Sequence, residues 1–444
     1  MKVVRALIVP IVALTLLAAC GSDDKKDNNN AGGQTNTTVT EATGTVTVFN
    51  AMEPEEAKAL QKVTDDLINS KVKYKATIEA SSQFEEQVKI RVDGGNPPEI
   101  AMYPQPGTVV ELAKQGKIKA LEDMGFNVAD LEKTFGKYFM DLGAYNGKHY
   151  GLPTNINLKS MIWYPKKAFD AKGYKVPTTF NELIALSDQI VKDGASPWCV
   201  GFESGTATGW PATDWMEDIM LRTAGPDTYD KWVTHQIPFN DPAVVNAGEQ
   251  FGRILFTQGY VLGGAANTTS INFGDAVAPM FTNPPKCYFN RQANFIASFF
   301  PKTAVAGVDY DWFPFPKMTQ SGDSALFAGE LSVVFKDTPA VRDFLTRFSG
   351  TEVQCAQGKS TDTSRISPNV NVAPSCYANK QLADASKVLT EALKANTARF
   401  DASDLMPSAV GSGSFWTGMV KYVQGGRSSL NGVLSDIDKS WPKP

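Results

Sequence analysis

The 444-residue chain predicts an α/β architecture, because strand-like and helix-like runs alternate from Thr43 onward and glycines, prolines and capping residues mark the changeovers. TGTVTVFN at 43–50 reads as a strand and PEEAKALQKVTDDLIN at 54–69 as a helix with acids in its first turn. VKYKATIEA at 72–80 is a second strand, SQFEEQVKIRVDGG at 82–95 a helix stopped by glycines, and EIAMY at 99–103 a buried strand. Repeated βαβ units predict a parallel sheet with helices on both faces. Ligands of such sheets bind outside the carboxyl ends of the strands. Here those ends are loops 50–53, 80–83 and 103–107, which makes Glu53, Ser82, Gln83 and Gln105 candidate contacts, with helix capping or an idle loop position as the alternative for each.

Further along, VPTTFNELIALSDQIVKDG places Thr179 and Glu182 in capping-box spacing ahead of an amphipathic helix. PWCVGFESG reads as a strand and its loop. In GWPATDWMEDIMLRTAG, Pro211 suits a first helical turn, Asp214 and Glu217 favour the helix start, and Gly225 marks the stop. ESGTATGWPATDW, 203–215, is therefore a strand-to-helix loop plus one turn, holding two tryptophans among hydroxyls and acids. DPAVVNAGEQFGRILFTQG is a later helix, LSVVF a strand, and the C-terminal third is mostly helical, at 382–393 and around 415–423. The sequence has no fixed-period repeat.

Lys2 and Arg5 precede an apolar run, 6–19, too short for a membrane span, so residues 1–19 read as a signal peptide. LAAC, ending at Cys20, resembles the bacterial lipobox, whose cysteine is diacylated. The polar, low-complexity stretch that follows, to residue 44, suits a flexible tether. The body, 42% hydrophobic and 20% charged over the whole chain, is globular, with two or three domains expected from length. Removing Lys2 and Arg5 with the signal shifts the formal charge from −4 to −6, which gives no electrostatic case for nucleic acid. Four cysteines follow Cys20, an even number in an exported chain. Of three pairings we favour Cys199 with Cys287 and Cys355 with Cys376, buried free thiols being the alternative.

GGNPPEIAMYPQPG, YGLPTNINLKSMIWYPKKAF, CVGFESGTATGWPATDWMEDIMLR and DLMPSAVGSGSFWTGMVKYVQG, with the lipobox, carry a resemblance over nearly the whole body. The chain resembles an extracellular solute-binding lipoprotein of a carbohydrate ATP-binding-cassette importer, most like the α-glucoside-binding branch. The resemblance implies a type II periplasmic-binding-protein-like fold, two lobes each a sheet flanked by helices, with a hinged central cleft. It places lobe 1 at 45–155 plus 311–355 and lobe 2 at 156–310 plus 356–444, with the return crossing near 309–315. It further implies a monomeric receptor with no cofactor, held at the extracytoplasmic face of the cell membrane through Cys20, and permease subunits as partners.

A pyranose offers an apolar C–H face and a hydroxyl rim, so its receptor needs aromatic rings for one and acids or amides for the other. Trp210 at a helix start and Trp416 after a Gly-Ser-Gly-Ser turn are the stacking candidates. Trp163 could equally be core, and Glu203 and Asp214 could be helix-start acids. Glu330, beside an apolar strand, and Arg365 in SRISPN complete the candidate set. Enzyme readings find little support, since the sequence has no HExxH motif, no G-x-S-x-G elbow and no P-loop. His149 and His235 are the only histidines, a scarcity that argues against metal or triad chemistry, and His149 reads as structural.

Overall fold

The computed structural model describes residues 42–318 and 324–443. The predicted signal peptide, Cys20 and most of the tether lie outside these residues, and a strand already runs from Thr43. In chain order the first strands are Thr43–Asn50 (β1), Lys73–Ala80 (β2), Ile100–Tyr103 (β3), Ala144–Tyr145 (β4), Lys148–His149 (β5) and Leu152–Leu158 (β6). There follow Met161–Tyr164 (β7), Ser196–Trp198 (β8), Cys287–Arg291 (β9), Asp311–Pro314 (β10), Ala325–Val334 (β11) and Ala398–Phe400 (β12).

Two sheets result. The first runs β12-β11-β3-β1-β2, with β6 also paired to β11; the second runs β10-β7-β9-β8. β1 lies parallel to β2 and β3, as the βαβ pattern predicts. The sheets are nevertheless mixed, not parallel. β11 arrives from the second lobe and runs antiparallel to both β3 and β6, while β7 is antiparallel to β9 and β10. The chain crosses between lobes in two residues, Lys159 and Ser160, between β6 and β7.

β10, expected in lobe 1, pairs with β7 in the second sheet, where Phe313 packs on Phe289 and the following Phe315 on Phe180 and Trp215. β12, expected in lobe 2, extends the first sheet beside β11.

The predicted helices form with the predicted signals. Thr179 and Glu182 make the capping box of Phe180–Lys192, and prolines open Pro54–Leu67, Pro106–Lys114 and Pro242–Phe256. Helix Trp210–Ala224 is unlike the others. Every residue from Pro211 to Arg222 is buried, including four charged ones, because the helix lies in the middle of the second lobe. One apolar core surrounds it, with Trp198, Trp215 and Trp232 fully buried, and the C-terminal helices complete that core through Phe415, Met419 and Tyr422. Two further cores cover the two faces of the first sheet. A fourth packs around the crossing strands, and Trp163 belongs to it: the ring meets Phe300 and Tyr310, and its N–H donates to the Gln292 carbonyl at 2.9 Å. Cys199 is bonded to Cys287 and Cys355 to Cys376.

Candidate ligand-binding site

A cavity of about 160 Å³ opens where the carboxyl ends of the first sheet face helix Trp210–Ala224. Its first-lobe wall is built from the three loops that follow β1, β2 and β3: Met52 and Glu53, Ser81 and Ser82, Pro104 and Gln105. Parallel strands end on one side of a sheet, so residues far apart in sequence converge there. The first turns of the next helices add Glu56 and Glu85. The Glu53 N–H donates to Glu56 at 3.4 Å, and Gln105 donates to Glu85 at 3.3 Å. Burial pushes Glu56 up to about 8, with the negative charges of Glu330 and Glu53 adding to the rise and Arg365 opposing it. Burial likewise raises Glu53 and Glu85. Glu330 on β11 pairs with Arg365, whose neighbour Ile366 bridges to Ile156 on β6.

The facing wall is aromatic. Trp210 packs edge-on against Phe273 at 5.2 Å and leans on Phe295 at 6.0 Å. Trp416 stands beside them, 3% exposed, with its indole N–H donating to Ser403 at 3.2 Å. Two glycines make this wall possible. Gly209 adopts φ 111°, open to glycine, and a Cβ there would lie 2.3 Å from the Trp416 carbonyl. Gly411 touches Ser403 so closely that a Cβ would overlap its carbonyl at 1.8 Å. The expected Gly-Ser-Gly-Ser turn is instead a π-helical run, Ala409–Phe415, continuous with helix Trp416–Gly425.

Beneath the rings lies a buried charge network. Lys159 reaches Asp214 at 2.8 Å and Asp401 at 2.6 Å, and its ammonium sits 4.9 Å from the Trp210 ring centre. Burial disfavours the ammonium, but the two carboxylates outweigh it and raise its pKa. Arg291 joins Asp214 to Asp218, each at 3.1 Å, and Arg222 closes on Asp218. Glu217 accepts from the N–H groups of Ala402 at 2.9 Å and Ser403 at 3.2 Å. Burial raises Asp214 to about 7, while Lys159 and its hydrogen bonds hold Asp401 down at about 2. Asp214, Glu217 and Asp401 converge as a metal site would require, as do Glu132, Asp141 and His149. An ammonium already occupies each place, Lys159 in the first and Lys137, 2.6 Å from Asp141, in the second.

Of the residues singled out from sequence, Glu53, Ser82, Gln105, Trp210, Glu330, Arg365 and Trp416 line the cavity. Gln83, Trp163, Glu203 and Asp214 do not. Gln83 is exposed and accepts from Gln87. Trp163 is core. Glu203 braces its own loop, accepting from the Gly205 N–H at 2.7 Å and from Asn272 at 2.9 Å. Asp214 is fully buried one layer below the cavity. Sequence reasoning missed Asn155, Asn157, Lys159, Phe273, Phe295, Asp401 and Asp404, all in the lining. Asn155 and Asn157 were findable: two asparagines at i, i+2 in the apolar strand LPTNINL point to one face. The others carry no local signal.

Two α/β lobes, joined by crossing strands and closing over a polar cavity with an aromatic wall, are the design of a receptor that captures a small solute. The chain belongs to the bacterial extracellular solute-binding proteins, whose family pattern matches residues 51–354. It is a binding protein of that family, not an enzyme, and acts outside the cytoplasm. It is 41% identical to the alpha-glucosides-binding periplasmic protein AglE of Rhizobium meliloti, over 89% of this chain and 87% of that one. It is 38% identical to the osmoprotective compounds-binding protein GgtB of Synechocystis, over 90% and 92%. The solute receptor AcbH superposes with a TM-score of 0.76 at 19% identity, covering 89% of this chain and 98% of that one; the shared fold is the type II periplasmic-binding fold. Among the described residues no helix is long and apolar enough to cross a membrane.

Proposed function

We propose that this protein captures an α-glucoside and delivers it to the permease subunits of an ATP-binding-cassette importer, as a monomer tethered to the membrane by a lipid on Cys20. The observation that supports this most is the composition of the cavity. An indole wall of Trp210 and Trp416 faces a rim of Glu53, Gln105, Asn155 and the Glu330–Arg365 pair, matching the apolar face and hydroxyl edge of a pyranose. The likeness to the α-glucosides-binding relative points the same way. Ligand docked on one lobe draws in the other through the short crossing at Lys159–Ser160, and the closed form is what a permease recognises.

Calorimetric titration with maltose, trehalose and longer glucosides tests the reading. Binding with return of unchanged sugar supports it. Release of glucose would indicate a surface hydrolase instead, and no heat with any glucoside would remove this ligand class.

A further inference from the structure

The cavity floor holds more acids than cations. Lys159 is shared by Asp214 and Asp401, Arg291 by Asp214 and Asp218, and Arg222 closes on Asp218. Glu217 is met by two backbone N–H groups. Asp404 is left over. It lines the cavity at 5% exposure, and its backbone N–H serves Asp401 at 3.0 Å. Among the described residues its carboxyl oxygens take no hydrogen bond and no ion pair. An ionised Asp404 would stand next to Asp401 without a counter-charge of its own, facing only the cavity that the ligand fills.

The charged groups acting on it come from every side. Asp401 precedes it on its own segment, Lys159 lies on the crossing, Asp214 on the central helix, and Glu85 on the facing first-lobe helix. Glu111, on the helix Pro106–Lys114, is turned to Ser408, and Tyr229 donates to the Phe400 carbonyl. Burial first, then the charge of Asp401, pushes the Asp404 carboxyl well above the usual carboxylate range, with Lys159 pulling the other way.

We propose that Asp404 is a specificity-determining ligand contact, its carboxyl O–H donating a hydrogen bond to a ring or glycosidic oxygen of the bound glycoside. An ionised carboxylate can only accept, whereas a ring or glycosidic oxygen can only accept too, so a proton on Asp404 is what lets the two meet. The same proton disfavours a cationic ligand, which would bind the ionised form. The ligand therefore binds the protonated state better: affinity is level below the raised pKa of Asp404 and falls as pH rises through it.

The inference takes its ligand from the α-glucoside reading, and the test separates the two. Maltose and trehalose are titrated into the full chain from about pH 6 to about pH 9, with the wild type, D404N and D404A. Affinity of the wild type should fall with pH. D404A should bind roughly three- to tenfold more weakly at neutral pH. D404N, whose amide supplies a donor at every pH, should recover most of that loss and make the pH profile shallower than that of the wild type, the remaining slope belonging to Glu56 in the same cavity. A flat wild-type profile, affinity rising with pH, or D404N as weak as D404A would each overturn the proposal. If the wild type binds no glucoside, the ligand reading fails by itself. Infrared difference spectra of ligand-free wild type against D404N then decide on Asp404, because absence at neutral pH of a protonated-carboxyl band that D404N lacks overturns it.

Discussion

Replacing Lys159 with methionine isolates the charge network under the cavity. Methionine keeps most of the aliphatic stem and removes the ammonium that joins Asp214, fully buried, to Asp401, 1% exposed, and stands over Trp210. Asp214 retains Arg291, but Asp401 is left without a cation, its hydrogen bonds including those from Ser403 at 2.8 Å and from the Asp404 N–H at 3.0 Å. Breaking a buried pair from one side costs about 3–5 kcal/mol, because the remaining charge stays buried. With an unfolding entropy of roughly 2.1 cal/mol/K per residue over about 400 residues, that is a fall in Tm of about 4–6 °C. Calorimetry at neutral pH measures it. The double variant K159M/D401N should regain more than half of the loss, since the asparagine oxygen still caps the following turn while the stranded charge is gone. Affinity for glucoside should fall in K159M as well, because the ammonium fixes the plane of Trp210. A Tm within about 1 °C of wild type, or no recovery in the double variant, would refute this account of the floor.

Three other outcomes follow from the same geometry. W210A should weaken sugar binding at least tenfold, about 1.4 kcal/mol, with little change in Tm, whereas W163A, a core substitution, should cost about 3–5 kcal/mol of stability; titration and thermal unfolding read the contrast. G209A forces a Cβ into a left-handed position 2.3 Å from the Trp416 carbonyl, so both Tm and affinity should drop, and an unchanged Tm would show that the two indoles do not depend on this approach. Glu56 is raised from 4.5 to about 8 in the folded state, so the native protein holds a proton that the unfolded chain releases. Its contribution is present at low pH and lost between those values, at up to about 1.4 kcal/mol per pH unit. The stability gained by E56Q over wild type should therefore grow from about pH 5 to about pH 8, as paired melting curves would show.

Which parts of the site were legible depended on the kind of signal. The ends of β1, β2 and β3 follow from local periodicity, and the walls around Glu53, Ser82 and Gln105 were located by strand ends alone. Trp210 and Trp416 sit at helix starts marked by glycine and proline or by a glycine–serine run, features that the sequence displays. Trp163 and Asp214 look no different in sequence from the residues that do face the cavity. Trp163 turns into the core and Asp214 lies one layer below the rings, because burial of an entire helix erases the polar–apolar alternation that would have shown its direction. The parallel-sheet expectation failed for a related reason. Pattern identifies a strand but not the lobe from which it arrives, and β11 comes back from the far side of the molecule.

By itself, the sequence determined the alternation of elements, the caps and stops that bound them, and the places where strands give way to loops, since each rests on residues a few positions apart. Only the tertiary structure decided what the cavity is made of. Lys159 meets Asp214 across 55 residues and Asp401 across 242, and Glu330 meets Arg365 across 35. Such pairs leave no local trace because charge and burial act through space, and the balance that leaves Asp404 without a counter-ion exists only once both lobes have folded around it.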